Sequence, residues 1–327
     1  MLKLIVSNSM LSSSIDCNTA AVLRTLGYTA QAEGSSPKLQ AGNSAHLLLE
    51  AWLQGKPPDE CLAIFEQSYH TFSDTYIPIV GRGSQLRWEN LAKILSVYLS
   101  LNSLNAVDFD VVETERQLSI EVYREANLVI HFTDKMDGKG RMHADGSYAS
   151  IEHKTGEFID DDWFSSYDMD GQITGHVFAG NATGEPVSGV MVNAIQFNKL
   201  PEIVWNKNGS VKKCSTHHIG LDLCQLDHAK FARRLFIRTA DDIVQWKKEL
   251  IYGALEYYKA LVDCKMSIEG IHSVPMQGLL HRSCRKCQFK DFCRSGRNNR
   301  NYLMRAPERD SNVLSSGLFE ISEEPVS

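Results

Sequence analysis

Ile151-Glu152-His153-Lys154-Thr155, at the end of the run SYASIEH, and Asp134-Lys135-Met136-Asp137, closing the run NLVIHFT, decide how this chain is read. Both are short alternating runs that read as strands, so two acids and a lysine converge at strand ends. A carboxylate from each of two neighbouring strands can hold a hard divalent cation, and such an ion lowers the pKa of a bound water and stabilises charge on a phosphodiester oxygen. Lys154 follows Glu152 by two and shares its face of the strand, where the ammonium can orient a nucleophile or stabilise developing charge. Taken alone, an acid-x-Lys in a strand is a commonplace surface pair. Either Asp134 or Asp137 can be the partner of Glu152; Asp134 is preferred, because Asp137 opens DGKG, which reads as a turn.

Working outward, QLSIEVY is a third strand, and ADGS is a second turn cluster. Downstream, VSGVMVNAIQF, EIVWNK and HHIGLDL read as strands, with Asn208-Gly209 as a hairpin turn. The first hundred residues read as mostly helical. Ser13 and Asp16 form a capping-box signature for a helix from Ile15 to Leu26 stopped by Gly27, with Cys17 in its first turn. Further helices run from about Ser44, from Asp59 to His70 and from Leu86 to Leu101, the last with Leu86, Leu91, Ile94, Leu95, Tyr98 and Leu101 on one face. Trp163 to Ala182 is compatible with a helix. Thr239 with Asp242 caps a long helix whose Ile243, Trp246, Leu250, Ala254, Tyr257 and Leu261 form a core stripe. The expected assembly is α/β, a mixed sheet with flanking helices. It divides into a mainly helical part at 1–105, a core at 106–265, a basic cysteine-rich segment at 266–310 and a weakly ordered tail at 311–327.

The composition is that of an ordinary soluble chain: 327 residues, 43% hydrophobic and 23% charged, with net charge −6. No apolar run approaches the length of a membrane span, and MLKLIVSNSM lacks the long apolar region and cleavage site of a signal peptide, so a cytoplasmic protein without membrane contact is expected. The charge is unevenly spread. Residues 281–310 carry nine basic residues against three acids, a window of +6 that leaves −12 for the rest. Such a run is either a solvated face or a phosphate-binding patch. Within it, Cys284-x2-Cys287-x5-Cys293 brings together three thiols, with Cys17 as a distant fourth. Closely spaced thiolates need a common soft cation, and both zinc and an iron-sulfur cluster satisfy that need. Cys61, Cys214, Cys224 and Cys264 read as buried or incidental, although Cys214 with His217 and His218 could make a second metal site.

These motifs, in this order, resemble the PD-(D/E)XK nuclease superfamily in its RecB-like branch, which includes AddB-type and CRISPR adaptation nucleases. Gly42-Asn43-Ser44-Ala45-His46 resembles the branch's G-x3-H helix, Asp134 the aspartate of motif II, Glu152-His153-Lys154-Thr155 the E-x-K-T of motif III, and Gln172-x3-His176 the Q-x3-Y helix. Two positions depart from the pattern: His131 stands where the family has a glycine three before the motif II aspartate, and His176 replaces the tyrosine. The resemblance implies a restriction-endonuclease-like core and a metal-dependent deoxyribonuclease, acting by preference as an exonuclease on single-stranded ends. Asp134, Glu152 and Lys154 would be its catalytic set. Mg²⁺ or Mn²⁺ would be held by His46, Asp134, Glu152 and the backbone carbonyl of His153, the imidazole tilting the choice toward manganese. It also implies a [4Fe-4S] cluster on Cys17, Cys284, Cys287 and Cys293. Around it, Arg282, Arg285, Lys286, Lys290, Arg294 and Arg297 would contact DNA phosphates, with Gln172 and His176 as further DNA-contacting candidates. A helicase, recombination, CRISPR or phage replication partner would fit that setting. The alternative is a non-catalytic nucleic-acid-binding or assembly subunit that keeps the fold and the cluster.

Overall fold

The computed structural model describes residues 2–30, 36–81, 83–102, 107–125, 127–184, 186–200, 229–275, 284, 287–305 and 319–321. The strand β4 (Leu128–Met142) organises the sheet, because both of its edges are paired. Along one edge β3 (Phe109–Glu125) runs antiparallel for the full length. The other edge is shared: Leu128 to Phe132 pair in parallel with β1 (Leu2–Val6), and Gly138 to Arg141 pair antiparallel with β5 (Tyr148–Gly156). Among the described residues, no strand pairs with residues 133–137 on that side of β4, which leaves a gap there. From β5 the sheet continues through the parallel β6 (Gly189–Gln196) to the antiparallel β7 (Phe231–Ile237). Beyond β1, β9 (Phe319–Ile321) pairs antiparallel with it, so part of the expected loose tail is a strand. A separate ribbon joins β2 (Tyr28–Ala30) to β8 (Leu303–Arg305).

The chain is thus α/β with a mixed sheet flanked by helices, as expected. On one face α3 (Pro37–Leu53), α4 (Pro58–Tyr76) and α5 (Trp88–Leu101) pack Leu48, Leu49, Phe65, Leu91 and Leu95 against Phe109, Ile151, Met191 and Ile195. On the other, α1 (Asn8–Asp16), α2 (Asn18–Thr25) and α8 (Ala240–Asp263) cover Leu4, Val6, Phe132 and Met136, while α6 (Asp161–Ser165) and α7 (Gly171–Ala182) sit over Val190, Val192 and Ala194. Among the described residues, no helix is long and apolar enough to cross a membrane.

Several local expectations change. DGKG is the middle of β4: a Cβ on Gly138 or Gly140 would come within 2.9 Å of Leu53 or Phe109, so these glycines make room for packing instead of a turn. The first helix is two, meeting at Cys17, whose extended backbone (φ −168°, ψ 111°) ends α1 and starts α2. The stretch from Trp163 to Ala182 is likewise split, with Asp170 accepting from the backbone N–H groups of Gln172 and Ile173 to start α7. Leu101 is 57% exposed and leaves the α5 stripe. The capping box of Thr239 and Asp242 is present as expected. β1, from the very start of the chain, belongs to the central sheet, so the part at 1–105 is not separate from the core. EIVWNK, HHIGLDL, Asn208-Gly209, Cys214, Cys224, His217 and His218 lie outside the described residues.

Candidate active site

The gap in the sheet collects the acids. The β4–β5 pairing ends at Gly138 and Ile151, and Asp137 and Glu152 come next, where the two strands part. Asp134 meets His176 of α7 on the side of Phe132 and Met136, whereas Asp137 meets His46 of α3. There His46 Nδ1 lies 3.4 Å from Asp137 Oδ2, which also accepts from the backbone N–H of His153 at 2.8 Å. The helix α3 delivers His46 because its neighbours Ala45, Leu48, Leu49 and Trp52 are buried against the sheet. Both candidate aspartates thus lie near Glu152: Asp137 beside His46, and Asp134 linked to Glu152 through His176.

On the α7 face, Glu152 is enclosed. Its Oε1 accepts from Lys154 Nζ at 2.5 Å and from Gln172 Nε2 at 2.9 Å, and Gln172 Oε1 accepts from Lys154 at 2.9 Å. Its Oε2 accepts from His176 Nε2 at 3.1 Å, while His176 Nδ1 donates to Asp134 Oδ2 at 2.7 Å. Gly175 allows this approach: a Cβ there would lie 2.4 Å from Asn8 and 3.0 Å from Phe132, so only glycine lets α7 press so closely on β4.

Electrostatics follow from this packing. Burial opposes a charge on His176, yet hydrogen bonds to Asp134 and Glu152, and their charges, push its pKa up to about 10. Burial likewise opposes ionisation of Glu152, but the His176 hydrogen bond, with the charges of His176 and Lys154, holds it below the usual carboxylate range despite Asp137 nearby. Asp137 is also held low against its burial, by its contact with His46 and by the His153 backbone. The ring of His153 differs in kind. Burial pushes its pKa down to about 4, so it is neutral, and its Nδ1 accepts from Asn193 Nδ2 at 2.8 Å. Asn193 is oriented by Arg233, which donates to its Oδ1 at 3.0 Å, and its amide also reaches Tyr98 at 2.8 Å.

One imidazole nitrogen and two carboxylates, from His46, Asp137 and Glu152, form a donor set suited to Mn²⁺ or Mg²⁺. Among the described residues no three such side chains are drawn together as ligands, and the oxygens of Glu152 are turned to Lys154, Gln172 and His176. Beside the site, Lys38, Gln85, Thr155, Gly156, Glu157 and Phe197 line an open groove of about 320 Å³ at the end of β5.

The cysteines come together from the two ends of the chain. Cys17 is buried in the core shared by α1, α2 and α8, and Cys287 and Cys293 pack against it with Phe289 and Phe292. Burial, then the neighbouring thiols of Cys17, Cys287 and Cys284, push the Cys293 thiol up to about 11. Cys287 is raised by burial and feels Cys17 and Cys284. Cys17 and Cys284 are thus near enough to bear on Cys287 and Cys293, although among the described residues no three of these cysteines are drawn together as metal ligands. Cys264 is buried in the same core but donates to the Leu261 carbonyl at 3.2 Å.

The basic run divides between exposed and structural residues. Arg294, in α9 (Lys290–Arg294), and Lys290 are exposed. Arg297 is instead structural, donating to the carbonyls of Ile271, Val274 and His272. Phe289 and Phe292, each 1% exposed, are core residues. Arg282, Arg285 and Lys286 lie outside the described residues. Sequence reasoning missed the network of Asn193, Tyr98 and Arg233 behind His153; Asn193, a polar residue inside an apolar run, is its one visible signal. Neither family models nor curated proteins gave a match to this chain.

Proposed function

We propose that this chain is a divalent-metal-dependent deoxyribonuclease with a restriction-endonuclease-like core, its N- and C-terminal parts held by a [4Fe-4S] cluster on Cys17, Cys284, Cys287 and Cys293. The observation that carries this reading is the meeting of His46, Asp137, Glu152 and Lys154 where β4 and β5 part. When bound, a divalent cation would lower the pKa of a water and draw charge from a phosphodiester oxygen. Lys154, fixed by Glu152 and Gln172, holds a positive charge at the mouth of the site, where negative charge develops on phosphorus oxygens. Glu152 and Asp137 supply two carboxylates from adjoining strands, and His46 supplies nitrogen from α3. The open groove beside Thr155 and Phe197 is the place we assign to the strand end that the resemblance implies as substrate.

The test is cleavage of labelled single- and double-stranded DNA with Mg²⁺ or Mn²⁺, comparing wild type with Lys154→Ala. Metal-dependent cutting by wild type alone supports the reading. One observation favours a non-catalytic subunit instead: His176 already occupies Glu152 Oε2. Wild-type protein that binds DNA but never cuts it with either metal establishes that alternative.

A further inference from the structure

The environment of Glu152 leaves its carboxylate a single orientation. Lys154 and Gln172 converge on Oε1 and His176 on Oε2, and the Glu152 and His176 side chains are 4% and 1% exposed. The second ring nitrogen of His176 is engaged by Asp134, itself 4% exposed. The imidazole thus bridges Asp134 of β4 to Glu152 of β5 from the helix above.

We infer that His176, oriented by Asp134, is a positioning residue that sets the carboxylate of Glu152 for metal and substrate, the pair acting as one unit. The inference rests on the nuclease reading of the site. Partners behind a metal ligand are worth about 10- to 100-fold in metal affinity or activity when removed. Asp134 reaches Glu152 only through His176, so its contribution requires that ring.

The experiment compares wild type, His176→Gln, Asp134→Asn and the double variant in the full-length protein. Three readouts are taken: kcat and KM on single-stranded DNA, Mn²⁺ affinity by calorimetry, and Tm. His176→Gln is expected to lower kcat or Mn²⁺ affinity by about 10- to 100-fold with KM for DNA unchanged. Asp134→Asn, nearly isosteric, should lower the same quantity by less, and the double variant should match His176→Gln alone, because the two act in series. A merely structural pair would lower Tm and leave kcat and Mn²⁺ affinity of the folded protein at wild-type values, and that result overturns the inference. So do effects that multiply independently in the double variant. If His176→Gln fails to fold, Asp134→Asn decides by the same two quantities. Should wild type bind Mn²⁺ without cutting, the nuclease reading falls while the Mn²⁺ affinities still judge the pair; wild type that neither cuts nor binds Mn²⁺ overturns both.

Discussion

Replacing Lys154 by alanine separates chemistry from folding, because its ammonium is partly exposed while its partner is not: the two side chains are 22% and 4% exposed. Removing it takes one donor from Glu152 Oε1 but leaves Gln172 there and His176 on Oε2. A fully buried pair broken on one side costs about 3–5 kcal/mol, and the exposure of the lysine and the remaining donors reduce this to about 1–2 kcal/mol. At the usual unfolding entropy per residue, a chain of this length then loses only about 2–3 °C in Tm. The chemical effect is larger. Loss of a charge placed where negative charge develops costs about 3–4 kcal/mol, on the order of 10²–10³ in rate. Single-turnover cleavage with saturating Mn²⁺, alongside fluorescence anisotropy for DNA binding and a thermal melt, measures all three. The expected pattern is a rate loss of that order, DNA affinity within about twofold and a nearly unchanged melt. A variant that cuts at the wild-type rate refutes the assignment of Lys154, and one whose melt collapses assigns it to the fold.

Asp137→Ala should abolish Mn²⁺ binding in calorimetry, since it removes the carboxylate beside His46; retained binding returns the metal role to Asp134. Cys17→Ala should strip iron and sulfide from anaerobically purified protein and lower Tm, because an open coordination position is left at a staple between distant parts of the chain. Zinc in place of iron in wild type, or unchanged metal content in the variant, defeats the four-thiolate assignment. Neutralising Arg285, Lys286 and Arg294 together should weaken DNA binding and flatten its dependence on salt, because fewer counterions are released. An unchanged slope would make the run a solvated face.

The parts of this fold legible in the sequence are those where local pattern and tertiary structure agree. QLSIEVY lies inside β3, NLVIHFT and SYASIEH lie inside β4 and β5 but for their first residues, Leu91, Ile94, Leu95 and Tyr98 of α5 are buried, and Thr239 caps α8. What failed was decided by neighbours remote in the chain. Leu2–Val6 is an apolar run too short for periodicity to classify, and only its parallel pairing with β4 makes it a strand. Phe231–Ile237 carries Arg233 and Arg234 in its middle; Arg233 is accommodated by Asn193 and Asn102, and Arg234 by Asp161 and the Phe164 ring. DGKG has turn composition, yet Leu53 and Phe109 occupy the space its glycines leave. The same reading bore on Asp134 and Asp137: a turn at DGKG would have ended β4 at Asp137, whereas the strand runs on and leaves Asp137 between His46 and the His153 backbone, with Asp134 against His176.

The gap between β1 and β5 connects the site to the cysteines. β1 forms one wall of the gap by pairing with Leu128 to Phe132, and Thr133 Oγ1 donates to the Val6 carbonyl at its edge. Directly after β1 the chain enters α1, which ends at Cys17. Packing joins these parts, since Leu4, Val6 and Cys17 belong to one core with Phe289 and Phe292. The metal centre proposed on the thiols would add a covalent tie to that core, so the Cys17→Ala variant should show faster amide hydrogen exchange in β1 as well as a lower Tm. Exchange in β1 as slow as in wild type, after loss of the metal, would mean that packing alone holds the wall of the site.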